Sequence, residues 1–214
     1  MVCEMTFHPD QLQLRSERAS DESTIASLLD AAFDGRLESE LVSRIRQTPE
    51  YINDLTLVAE ASGEIVGFNM VSYVYLKLSD GERQAIDANR MLGAAGSEPD
   101  DADLQANDAV IKVLSLGPVA VAPARQKQGI GGRLMEECIE IANQRNEALI
   151  VLLGHAEYFP RFGFERASVH GIYPPVAWPD ESYMIFKLRN YSPQMRGTIL
   201  YPVAWQIGEG AEQQ

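Results

Sequence analysis

Between Val119 and Leu134 a β-rich run, Val119-Ala120-Val121, passes through Ala122-Pro123-Ala124-Arg125 into Gln126-Lys127-Gln128-Gly129-Ile130-Gly131-Gly132-Arg133 and then into a helical pattern. Ile130, Leu134, Cys138, Ile141 and Ala142 recur on one helical face, and Ala148 to Leu153 reads as a further buried strand. Strand, loop, helix and strand in that order form a βαβ unit and make the chain α/β. The loop itself is a candidate anion site. The first N–H groups of a helix have no partner within it and lie at the positive end of its dipole, and glycines let a phosphate approach them closely. Two common nucleotide loops do not match: a dinucleotide fingerprint needs a third glycine where Leu134 stands, and a Walker A loop needs Gly-Lys followed by Ser or Thr.

Charge points to the same window. The chain has a formal net charge of -13, yet no acidic residue occurs between Asp108 and Glu136, where Lys112, Arg125, Lys127 and Arg133 are found. The overall charge speaks against nucleic acid and anionic membranes as partners, since both repel an acidic surface. No apolar run reaches the roughly 20 residues of a spanning helix. The start, Met1 to Thr6, lacks a secretory pattern, so a cytoplasmic location is expected. Cys3 and Cys138 read as free thiols, and His8 and His170 have no ligand spacing around them, so no metal is expected.

Upstream, Leu12 to Arg15 predicts a strand, and Ser20-Asp21-Glu22-Ser23 opens a helix carrying Ile25, Leu28, Leu29 and Ala32. Leu37, Leu41, Val42 and Ile45 predict a second helix, stopped at Thr48-Pro49. Leu55 to Glu60 and Ile65 to Tyr75 predict two antiparallel strands joined at Ala61-Ser62-Gly63-Glu64. From Ser79 to Asp108 eight acidic residues stand against two basic ones, which reads as a mobile surface insertion with a short helix around Ala85 to Leu92. Downstream, Glu157 to Phe162 predicts a short helix and Tyr183 to Leu188 a strand.

Gln126, Gly129 and Gly131 match the pyrophosphate loop of the GNAT acetyltransferases: Gln or Arg, two residues, Gly, one residue, Gly or Ala. Leu116 to Pro123 resembles that family's fourth strand, and Leu153-Gly154-His155-Ala156-Glu157-Tyr158-Phe159-Pro160-Arg161-Phe162-Gly163-Phe164 resembles the strand–helix turn of its YhbS-like branch. The resemblance implies a single-domain α/β fold over residues 11–207 with an acidic insertion at about 79–108. Its sheet would be mixed and mostly antiparallel, with splayed fourth and fifth strands and helices on both faces. It also implies transfer of an acetyl group from acetyl-CoA to a primary amine.

By the same resemblance, Gln126, Lys127, Gln128, Gly129, Gly131, Gly132 and Arg133 would hold the cofactor's pyrophosphate, and main-chain groups of Val119 and Val121 its pantetheine. Val119 N–H would stabilise the oxyanion. Many relatives carry Glu or His two or four residues before the position of Val119, where this chain has Gly117 and Ser115. Ser115 is then a candidate for ordering a water and His155 for relaying the proton. The family's tyrosine acid usually lies four residues before the glycine of Gly-Phe, which is Phe159 here, with Tyr158 one place earlier. Helical spacing would send Tyr158 to the core and Phe159 to the sulfur, so Tyr158 is read either as the acid or as packing. Cys138 reads as core rather than nucleophile. Glu38 and Glu40, Phe33 and Tyr73 are candidates for the acceptor cleft, with solvated helix carboxylates and core packing as their alternatives.

The acceptor remains unspecified, and a homodimer is left open. The main alternative is a non-catalytic acyl-CoA-binding or sensor domain that kept the loop and lost the proton-handling residues. A nucleotide-binding α/β protein is a third reading.

Overall fold

A computed structural model describes residues 12–79 and 110–205. The acidic insertion and its expected helix lie outside the described residues apart from Ser79, as do Cys3 and His8. The described chain divides into two compact units, the first formed by residues 12–73, 115–146 and 202–205, the second by 74–79, 110–114 and 147–201.

In the first unit β1 (Leu12–Ser16) pairs antiparallel with β2 (Leu57–Ala61), which pairs antiparallel with β3 (Glu64–Leu78); β4 (Val110–Val121) is next in strand order, and residues 74–78 of β3 and 110–114 of β4 belong to the second unit. The β2–β3 turn works because Ser62 and Gly63 both adopt left-handed backbone, at φ 53 and 82°, a twist that matches the flanking strands. Leu55 belongs to a 3-10 turn, Asn53–Leu55, rather than to the strand expected from Leu55 onward. Helix α1 (Glu22–Phe33) ends at Asp34, whose φ of 54° closes the helix by returning its N–H to the Asp30 carbonyl. Together with α2 (Leu37–Ile45) it buries Ile25, Leu28, Leu29, Val42 and Ile45 in one cluster with Val58, Phe68, Met70 and Ala120.

Helix α3 (Ile130–Gln144) buries Ile130, Leu134, Cys138 and Ala142, as its apolar spacing predicts, and also Met135, while Ile141, expected on the same face, is half-buried. A Cβ at Gly67 on β3 would come within 2.9 Å of the Ile130 Cγ2 and 3.0 Å of the Leu134 Cδ1. Glycine at 67 therefore sets how closely the first turn of α3 lies on the sheet, and with it where the preceding loop is held.

The second unit contains β5 (Leu149–Leu153), β6 (Glu165–Arg166), β7 (Ile172–Tyr173), β8 (Tyr183–Lys187) and β9 (Gly197–Leu200). Strand β5 neighbours β4 and runs parallel to it, as a helix-connected crossover does. It pairs antiparallel with β8, from Leu149↔Lys187 to Leu153↔Tyr183, and β8 pairs with β6. The C-terminal end of β3 pairs antiparallel with β9, Tyr75↔Leu200 to Leu78↔Gly197, and β9 runs parallel to β7. The sequence gives little sign of β6, β7 or β9, because two- and four-residue strands carry no periodicity. At Gly197 a Cβ would lie 1.9 Å from the Lys77 carbonyl oxygen, so only glycine lets β9 meet β3 there.

Two ion-paired networks brace the first unit. Arg15 donates to Asp21 at 2.6 Å and to Glu60 at 3.0 Å, and the Arg18 N–H also donates to Asp21. The Arg15 hydrogen bond is the main cause holding the Asp21 carboxyl below its ordinary range, against the opposing effect of burial. A carboxylate lowered on folding stabilises the native state above its unfolded pKa of about 3.9 and loses that contribution as pH falls through the folded value. Asp21→Asn should therefore flatten the acid limb of a plot of urea midpoint against pH below about 4. An unchanged limb would show that Asp21 does not contribute to it.

Candidate active site

The candidate phosphate loop lies within the first unit. Strand β4 ends at Val121, and the Ala122 N–H donates to the Val66 carbonyl at 2.9 Å, tying the strand end to β3. A 3-10 turn over Pro123–Arg125 follows, closed by the Arg125 N–H on the Ala122 carbonyl at 2.7 Å. Two side-chain amides then brace the loop from inside the motif. Gln126 Nε2 donates back to the Val121 carbonyl at 3.3 Å, and Gln128 Nε2 to the Ala124 carbonyl at 3.4 Å. Gln126 thus locks the path of the chain out of β4, a role that its backbone position alone does not reveal.

Lys127 and Gly129 both take left-handed backbone, at φ 62 and 84°. Gly129 is the N-cap of α3, and no side chain caps the helix. The cap works through the backbone, since the Gly129 carbonyl accepts the Arg133 N–H at 3.1 Å. The first turn holds no acidic residue, and an added Cβ at Gly129 would meet nothing within 4 Å. Gln126, Lys127, Gln128, Gly129 and Arg133 are exposed, Gly132 is half-buried and Gly131 is buried. A glycine cap with open space above it, an exposed lysine beside it and a helix N-terminus behind it can hold an anion through backbone donors. The sequence motif picked out this loop as the candidate site. The left-handed turn at Lys127 carries no sequence signal, since lysine is not a residue that favours φ above zero.

On β4 itself, Val119 and Val121 are half-buried, whereas Ser115 is buried. In the second unit the segment after β5 carries the other candidates. His155 is exposed, and its carbonyl accepts the Tyr158 N–H at 3.0 Å. The expected helix over Glu157 to Phe162 is a 3-10 turn, Phe159–Phe162, with Tyr158 as its N-cap. Phe159 rather than Tyr158 is therefore the ring that enters the core. Phe159 is buried and packs edge-on against Phe164 at 5.8 Å, while Tyr158 is half-buried with the Arg161 guanidinium 3.9 Å from its ring centroid. Space for Phe159 comes from Gly154, where a Cβ would lie 2.3 Å from the Phe159 ring. The tight turn places Tyr158 outside the helix proper, so the 100° spacing of an α-helix does not apply to it.

Burial pushes the Cys138 thiol up to about 12, which removes the thiolate a nucleophile needs. Glu38 is half-buried and Glu40 exposed, Phe33 is exposed, and the Tyr73 hydroxyl accepts a hydrogen bond from Arg145 at 3.3 Å. His170 sits 2.6 Å from Glu165, and hydrogen bonds from Lys187 and His170 hold the Glu165 carboxyl low. Among the described residues no group of three potential metal ligands comes together, and no helix is long and apolar enough to cross a membrane.

Residues 53–166 match the sequence model of the acetyltransferase (GNAT) domain, and the chain belongs to that family. It is 27% identical over 191 residues to the uncharacterized N-acetyltransferase YjhQ of Escherichia coli K12, covering 89% of each chain. Among solved structures it is similar to the GNAT N-acetyltransferase YhbS of Escherichia coli in complex with CoA, with a TM-score of 0.70 at 22% identity over 94% of this chain and 98% of that one. It is also similar to a GNAT acetyltransferase of Brucella melitensis in complex with acetyl-CoA, with a TM-score of 0.62 at 26% identity over 91% of this chain and 97% of that one. These similarities establish the GNAT fold.

Proposed function

We propose that the protein transfers the acetyl group of acetyl-CoA to a primary amine by direct attack in a ternary complex. The observation that carries this reading is the loop from Gln126 to Arg133, which turns left-handed at Lys127 and Gly129 into a helix with no side-chain cap and no acidic residue in its first turn. Backbone amides of Gln128, Gly129, Gly131, Gly132 and Arg133 then take the pyrophosphate, with the Lys127 ammonium beside them, and main-chain groups of Val119 and Val121 take the pantetheine arm. The relatives solved with CoA and acetyl-CoA support the choice of cosubstrate. Acetyl-CoA also implies a cytoplasmic location.

In the reaction the amine nitrogen attacks the thioester carbonyl carbon, the carbon–sulfur bond breaks, and the CoA thiolate leaves while the nitrogen gives up its proton. The Val119 N–H would donate to the oxyanion that forms on the carbonyl oxygen. Ser115 would order a water, His155 would relay the proton from the amine, and Tyr158 would protonate the departing sulfur. The inert thiol of Cys138 supports transfer without a covalent acyl-enzyme.

Release of free thiol from acetyl-CoA in the presence of an amine panel tests the reading, which expects acceptor-dependent release. Tyr158→Phe should lower kcat by about 10- to 100-fold with the KM for acetyl-CoA unchanged, less than a full general acid's contribution because a thiolate leaves with modest help. A kcat within about twofold of wild type would assign Tyr158 to packing alone. One observation favours a non-catalytic CoA sensor: the β4 positions where relatives carry a base hold Gly117 and the buried Ser115. Saturable CoA binding without thiol release for any amine would establish that second reading.

A further inference from the structure

A pocket of about 310 Å³ opens in the second unit, lined among others by Ile172, Tyr173, Val176, Trp178, Asp180 and Tyr183. Its volume lies at the lower end of the range for small-molecule sites. The walls are mostly apolar and aromatic side chains, with Ser168 and Asp180 as the polar ones: the Trp178 ring packs at 5.5 Å from Tyr183 and 5.8 Å from Tyr201, while Tyr173 and Val176 are each 51% exposed. Large apolar side chains left open around a concave site are the residues a ligand would cover.

The position of this pocket ties it to the C-terminal end of β5. Tyr183 is in register with Leu153, the last residue of β5, and the Gly154 N–H donates to the Ser182 carbonyl at 2.9 Å. His155 follows immediately, so the pocket wall and the candidate proton relay hang from the same pair of strand ends.

We propose that this pocket receives the body of the acceptor, and that the acceptor is a small amine carrying an aromatic group. The inference rests on the acetyl-transfer reading, because it names that reaction's substrate class. Aromatic rings gain from edge and face contacts with Trp178 and Tyr173 in addition to the area they bury. A polyamine would need its second cation neutralised, yet the one carboxylate of the lining, Asp180, already faces Arg166 at 3.7 Å. Asp180 is still 56% exposed at its side chain, enough to attract the approaching ammonium without trapping it.

The test uses the full chain saturated with acetyl-CoA, with 2-phenylethylamine, tryptamine and spermidine as acceptors. The wild-type kcat/KM should favour the two arylalkylamines over spermidine by about 10-fold or more, and Trp178→Ala should lower it for them by a similar factor, mainly through KM. The CoA Kd of that variant should stay within about twofold of wild type. Val176→Arg, at an exposed position, provides a second variant that fills the pocket if Trp178→Ala does not fold. A preference for spermidine, or arylalkylamine kinetics indifferent to both substitutions, would overturn the proposal. Calorimetry with 2-phenylethylamine and CoA-loaded protein separates it from the reading beneath it. Binding that Val176→Arg removes supports the pocket even where no thiol is released, and absence of binding overturns the pocket even where another amine is acetylated.

Discussion

Gly129→Asp should weaken CoA binding by about 100-fold or more, a loss of roughly 2.7 kcal/mol, while the protein stays folded. Gly129 is at φ 84° with open space where a Cβ would project. Two costs of substitution can therefore be told apart. The conformational cost of a left-handed residue is about 1–2 kcal/mol for most side chains and smaller for Asn and Asp, whose short polar groups tolerate that region. On stability alone the order is then Gly129→Ala worse than Gly129→Asn or Gly129→Asp. On CoA affinity the order changes, because only Asp places a negative charge against the pyrophosphate and the α3 N-terminus. Gly129→Asn is the uncharged control and should lose about 10-fold or less. Isothermal titration with CoA, alongside thermal unfolding, gives both orders from the same samples. If Asp and Asn lost affinity equally, backbone geometry rather than phosphate charge would govern the loop, and an Asp variant with wild-type affinity would remove the phosphate site altogether.

That loop was legible because its chemistry is carried by the backbone, and backbone needs appear in sequence as glycines at fixed offsets from a strand and a helix. Gln126, Gly129 and Gly131 stand at the offsets of the motif, and α3 follows with Ile130, Leu134, Cys138 and Ala142 buried as their spacing demands. The candidate proton-handling residues were harder to read. Whether Tyr158 or Phe159 faces inward depends on a 3-10 turn and on the space left by Gly154, and neither is coded by apolar spacing. The pocket around Trp178 was not anticipated, since its lining comes from short turns, the two-residue strand β7, the first residue of β8 and the loop between them. Its one local signal was the cluster of Tyr173, Pro174, Pro175, Val176 and Trp178, apolar residues without helix or strand period. Short strands escaped for the same reason, and β9 is held in place by tertiary pairing with the C-terminal end of β3 rather than by any pattern of its own.

Ionic contacts over long sequence separations leave no local mark either, and the buried one between Glu17 and Arg46 should carry the largest stability effect in the first unit. Arg46 caps the end of α2, and its guanidinium forks onto Glu17, with Nε 2.9 Å from Oε1 and Nη2 on Oε2. The two side chains retain 12% and 4% of their exposure. Tyr51 donates its hydroxyl to the same Glu17 oxygen at 2.7 Å, and burial pushes that phenol up to about 12, so it remains a donor across ordinary pH. Three parts of the chain meet here: the exit of β1, the end of α2 and the segment that bridges to β3 through Tyr51 and Ser72. Arg46→Met should cost about 3–5 kcal/mol, because the Glu17 carboxylate stays buried without its counter-charge. At this chain length that lowers Tm by roughly 10 °C. Glu17→Leu combined with Arg46→Met should recover all but about 1–2 kcal/mol, since an apolar pair of similar volume carries no desolvation penalty. Chemical denaturation of wild type, single and double variants decides the matter. A single variant within about 0.5 kcal/mol of wild type would mean that water or another cation replaces Arg46, whereas a double variant no better than the single would place the cost in packing of the Arg46 stem.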